Sequence, residues 1–145
     1  MLTDYGMFLE LITMKTKNKM KRSLLLLPVL LITISSLAQS GIDDVISAMK
    51  NGNASGVTKY FDNYVDIVMP DKGSNYSKSQ GELILKDFFA NNGVKNFDVK
   101  HKGNNDNGDY CIGTLQTKNG NYRATVYMRL KNNKQVIQDI RIEQL

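Results

Sequence analysis

Between residues 94 and 143 apolar and polar residues alternate with a period of two, and short Asn- and Gly-rich runs interrupt the pattern three times. Successive side chains of a strand point to opposite faces, so this period is the mark of strands with one buried face. The segment reads as four consecutive antiparallel strands. In the first, Phe97, Val99 and His101 alternate with Asp98, Lys100 and Lys102, which sets His101 on the inward side. The second covers 109–117, the third 122–131 and the fourth 135–143.

Lys118-Asn119-Gly120-Asn121 is the best hairpin signal, because Asn-Gly tolerates the positive φ angles of a type I′ turn. With Asn119-Gly120 as the loop, Leu115 faces Ala124, Gly113 faces Val126 and Cys111 faces Met128 on the apolar side, which continues to Leu130. Val136, Ile140 and Ile142 are the matching apolar set of the fourth strand. A two-residue loop at Asn132-Asn133 would set Asp139 opposite Val126 and throw that set onto the wrong face. A three-residue loop or a bulge is therefore expected there, with Val136 opposite Leu130 and Ile140 opposite Val126. The reverse face then carries Tyr110, Ile112, Tyr127 and Ile137 among Arg123, Arg129, Asp139 and Arg141, with Ile112 opposite Tyr127 and Ile137 beside Arg129. A clustered apolar patch of this kind predicts an interface, with homodimerisation through the outer sheet face as the expected use.

Upstream, Ile42, Val45, Ile46 and Met49 form the buried stripe of a helix over 41–50, with Asp43 and Asp44 in its first turn and Lys50 in its last. Asn53 can cap a second short helix running to Tyr60 and Phe61. A strand over 64–69 ends at Pro70, and 71–76 reads as a loop. Ser77 and Gln80 have capping-box spacing before a helix to about Ala90, whose stripe is Ile84, Leu85, Phe88 and Phe89.

Residues 1–38 read differently from the rest. Lys15, Lys17, Lys19, Lys21 and Arg22 precede an apolar run over 24–34, and Ser36-Leu37-Ala38 supplies small residues for cleavage. That is the plan of a secretory signal peptide, behind an N-terminal extension that carries Asp4 and Glu10. The expectation is an exported protein, periplasmic or secreted, off the membrane after cleavage, with one domain over 39–145. Setting the segment aside lowers the formal net charge from +5 to +2, so the basic balance does not argue for nucleic acid. Cys111 is the only cysteine, so no internal disulfide is available.

The order helix, helix, strand, helix, four antiparallel strands resembles the α+β cone of the nuclear transport factor 2-like fold. More narrowly, several runs resemble a family of uncharacterised exported bacterial domains of unknown function. They are Tyr60-Phe61-Asp62-Asn63, Val65-Asp66-Ile67 and Tyr76-Ser77-Lys78-Ser79-Gln80. Leu85-Lys86-Asp87-Phe88-Phe89, Ile112-Gly113-Thr114-Leu115 and Ile137-Gln138-Asp139-Ile140-Arg141-Ile142 complete the set. The resemblance implies helices packed into the concave side of a curved sheet, often with a pocket, and pairing through the sheet. It selects no activity.

Phe88, Phe89, Val99, His101, Cys111, Met128 and Gln138 are the residues expected around such a pocket. His101 and Asp66 are the weak catalytic candidates: an imidazole titrates near neutral pH, and a buried carboxylate is raised in pKa. Against each stands a plainer reading, a half-exposed structural histidine and a solvated strand charge, and the plainer reading is preferred. Cys111 reads as a small buried hydrophobe rather than a nucleophile. No ligand cluster for a metal and no phosphate-binding glycine motif is found, so neither metal nor cofactor is expected. The favoured function is a non-catalytic exported domain that binds a small apolar ligand or a partner protein. The alternatives are a small pocket enzyme of isomerase, dehydratase or cyclase type, and a structural or assembly module.

Overall fold

Local signals start the helices where the sequence puts them, but the second ends at Thr58 instead of running to Tyr60 and Phe61, and Phe61 opens the first strand. The computed structural model describes residues 40–145; the signal and extension read over 1–38 lie outside the described residues. Helix α1 (Gly41–Lys50) buries Ile42, Val45, Ala48 and Met49, the 3.6-residue stripe. Helix α2 (Ala54–Thr58) starts where the Asn53 side chain accepts the Gly56 amide at 3.0 Å. Helix α3 (Lys78–Asn92) opens with the Ser77/Gln80 capping box and closes on Gly93 at φ 65°. Its buried line is Gly81, Leu85 and Phe89, while Phe88 is only half-buried, so the stripe is rotated from the expected one. The close packing has a visible reason: a Cβ on Gly81 would lie 2.8 Å from the Phe61 ring.

The sheet has six strands in the order β2-β1-β6-β5-β4-β3. These are β1 (Phe61–Val68), β2 (Gly73–Ser77), β3 (Val94–Asn105), β4 (Gly108–Thr117), β5 (Gly120–Lys131) and β6 (Lys134–Gln144). The last four form the expected meander. β2 occupies the stretch read as a loop, and its polar Gly-Ser-Asn-Tyr-Ser sequence carries no strand signal of its own. It forms because Met69 and Lys72 exchange backbone hydrogen bonds around Pro70-Asp71, which turns the chain back along β1. β1 in turn runs parallel to β6, closing the sheet across the two ends of the sequence.

Two registers differ from expectation. At the β4–β5 hairpin Thr117 pairs with Gly120, so Lys118-Asn119 is the loop and every pair moves by two: Leu115 meets Tyr122, Cys111 meets Val126 and Tyr110 meets Tyr127. A shift of two keeps each side chain on its face. The turn is held by its surroundings, since the Lys118 amide donates to Asn92 and Gly93 carbonyls at 3.0 Å and Thr117 Oγ1 donates to the Gly120 carbonyl at 2.7 Å. The type I′ geometry appears instead at Asn132-Asn133, with φ 50° and 60°. There the loop has two residues, and a bulge at Gln138 restores the face, so Ile140 does oppose Val126. Because the bulge follows Ile137, Val136 opposes Arg129 rather than Leu130 on the outer face, and Ile137 opposes Met128 in the core with 0% exposure.

Candidate functional site

The inner face of the sheet and the three helices share one continuous apolar core. Phe89, Cys111 and Met128 are buried in it, and Val99 and Phe88 pack at its margin. Phe88 stands edge-on to Tyr122, with ring centroids 5.1 Å apart. Five of the seven groups expected around a pocket thus lie in or against the core. Cys111 has 0% exposure, and burial pushes its thiol up to about 12, which removes it as a nucleophile at neutral pH. Tyr60 donates to Asp44 at the rim, and that hydrogen bond, with burial, also raises the phenol to about 12.

Two expected pocket residues lie elsewhere. Lys100 is an extra residue between the pairs Val99–Gly113 and His101–Ile112, and this bulge turns His101 onto the outer face, exposed. Gln138, on its own bulge, is exposed and faces the outer side. Asp66 is exposed as well and accepts from the Asn75 amide at 2.7 Å. Its strand is not an edge, because β2 covers it. His101 and Asp66 lie on β3 and β1, with β4, β5 and β6 between them, so they form no acid–base pair.

The register instead builds one outer row across all six strands: Asn75, Asp66, Asp139, Tyr127, Tyr110 and Gly103. Tyr110 and Tyr127 have ring centroids 6.1 Å apart and tilted by 35°. A Cβ on Gly103 would meet Tyr110 Oη at 2.7 Å, so the glycine is what lets that ring lie over β3. In the neighbouring row Arg141 donates to Asp139 at 2.8 Å, and that bond holds the guanidinium pKa above its usual value. The expected interface is therefore corrected. Tyr110, Ile112, Tyr127 and Arg129 remain on the outer face, with Ile112 opposite Thr125, but Ile137 is withdrawn and charged side chains surround what is left.

A groove of about 520 Å³ opens on this row, walled by Tyr127, Arg129, Asp139 and Arg141 and closed at one end by Asn105, Asn107 and Asp109. The β3–β4 turn is brought down onto it at Gly108, whose φ is 128° and whose Cβ position would fall 2.0 Å from the Met128 carbonyl oxygen. Only glycine permits that approach. The Asp109 side chain itself turns to the helix side, where Asn104 and Gln135 donate to it and Gln135 accepts the Gly41 amide. The turn residues were not foreseen as functional; Gly108, at the end of an Asn/Asp/Gly run, was the available signal. Among the described residues no group of three metal-ligating side chains is gathered, and no helix is long and apolar enough to cross a membrane.

The family profile "Domain of unknown function (DUF4783)" matches residues 42–143. The chain belongs to this family. It is similar to a DUF4783 protein of Bacteroides uniformis at 37% identity, covering 71% of this chain and 95% of that one, with a TM-score of 0.68. A DUF4783 protein of Bacteroides ovatus is 33% identical over 70% of this chain and 93% of that one, TM-score 0.67. A putative dehydratase of the NTF2-like family from Streptomyces avermitilis is 12% identical over 72% and 91%, TM-score 0.55, and shares the fold alone. No curated protein matches. The DUF4783 domain here is thus an NTF2-like α+β fold with a curved six-strand sheet.

Proposed function

We propose that this DUF4783 domain is an exported, non-catalytic binding module whose working surface is the outer face of the sheet. One observation carries the reading: the inside of the cone is occupied by apolar side chains, while the groove and the exposed charged and aromatic groups gather outside. An apolar ligand would need the inner volume, so a polar ligand or partner is favoured. The enzyme reading placed His101 or Asp66 in an inner pocket, and both side chains are exposed instead. A photo-crosslinking residue placed at Arg123, on the outer face, should yield adducts in cells, and one at Glu82 on α3 should not. Adducts confined to the helix side would reverse the assignment.

A second reading, pairing of two copies through the same face, draws on Tyr110, Ile112 and Tyr127, the last of which is 40% exposed. Light scattering distinguishes it. A dimer that Tyr127→Glu converts to a monomer supports self-pairing; a monomer at high concentration rejects it.

A further inference from the structure

The groove is built by two local departures from a regular sheet, the Gln138 bulge and the close approach at Gly108. Bulges and such approaches re-aim side chains, and here both aim polar groups into one open volume. The ligand class follows from what those groups offer. Carboxylates come from Asp66 and Asp139, and guanidiniums from Arg129 and Arg141. An anion would meet both carboxylates, and a cation would meet both arginines. Several of the charges are already engaged: Asp139 by Arg141 and Asp66 by Asn75. The carboxamides of Asn105, Asn107 and Gln138 add donors and acceptors in about equal number. Tyr127 supplies an aromatic surface beside them, braced by Tyr110 behind it.

Neutral hydroxyl groups each donate and accept, so they satisfy mixed planar amides, carboxylates and guanidiniums without a net charge. A ring with several hydroxyls on its edge and C–H bonds on its face also suits a tyrosine. The volume of about 520 Å³ lies within the range of small-ligand sites. We infer that the groove formed by Asp66, Asp139, Arg141, Gln138 and Tyr127 is a carbohydrate-binding site. This rests on the outer face being the working surface and adds the chemistry of its occupant.

The test is amide chemical-shift mapping on the isotope-labelled protein in the form its cells accumulate. The probes are glucose, galactose, mannose, N-acetylglucosamine, maltose, cellobiose and chitobiose, each at about 20 mM, since a shallow open site binds in the millimolar range. Inorganic phosphate and spermidine serve as anionic and cationic controls. At least one saccharide should shift the amides of Tyr127, Gln138 and Arg141 saturably. Tyr127→Ala should weaken that binding about tenfold, the scale of one lost aromatic contact, and Asp66→Asn should weaken it less. Both variants should keep the remaining amide positions, which shows that they fold. No saccharide response in the groove, or one that Tyr127→Ala leaves intact, overturns the inference. A groove response to phosphate or spermidine alone also overturns it, yet leaves the outer-face reading standing. Crosslinks confined to the helices would remove that reading itself.

Discussion

Phe88 and Phe89 are neighbours in sequence with different surroundings. Phe89 is 4% exposed between α3 and the sheet, and Phe88 is half-buried against the Tyr122 ring. Phe89→Ala should therefore lower unfolding free energy by about 3–5 kcal/mol, as for a fully buried ring. Phe88→Ala should lower it by about 1–2 kcal/mol, in line with its smaller buried area. Urea denaturation of both variants checks the order, and equal losses would mean that α3 is docked in another phase. Cys111 gives a pH signature. Its folded pKa of about 12 lies above the ordinary thiol value of 9.0, so the neutral thiol stabilises the fold below pH 9 and that contribution is lost as pH rises through the interval. Tyr60, raised from 10.0 to about 12, acts in the same direction from pH 10 upward. Stability measured by denaturation should fall between about pH 9 and 12, with Cys111 contributing a slope of at most about 1.4 kcal/mol per pH unit. Cys111→Ala should be less stable at pH 7 and show a shallower alkaline decline.

At the scale of elements, the two hairpins exchange the roles that their sequences suggest. Asn119-Gly120 has the better type I′ signal, yet Thr117 and the α3 C-terminus hold a loop one residue earlier, leaving the positive φ to Gly120 at 133°. Asn132-Asn133 takes the I′ geometry with two non-glycine residues. Asparagine bears this backbone, but a β-branched residue does not. Asn133→Val should thus lower stability by about 1–2 kcal/mol, while Asn119→Ala, which loses one exposed hydrogen bond to the Asn91 carbonyl, should lower it by less than about 1 kcal/mol. Thermal unfolding of the pair reads the difference, and the reverse order would place the I′ turn at the first hairpin.

For the whole molecule, the expected export segment makes a separate prediction. The mature protein recovered from outside the cytoplasm should begin at or within a residue or two of Gln39, as intact-mass measurement would show; retention of residues 20–38 would leave the chain tethered. The sequence by itself determined the three helices, the four-strand meander and the face to which most of its residues belong, because period-two and 3.6-residue patterns report which side meets the core. The caps at Asn53 and Ser77 were legible for the same local reason. Only the tertiary structure decided the rest. β2 exists because β1 offers a free edge, and β1 itself is recruited in parallel by β6 from the far end of the chain. The bulges at Lys100 and Gln138 are single-residue offsets between strands, and no one strand's sequence records an offset against its partner. Those offsets moved His101 and Val136 outward and Ile137 inward, and with Gly108 they made the groove. Local pattern thus set what each strand buries, and the pairing between strands set where its polar groups converge.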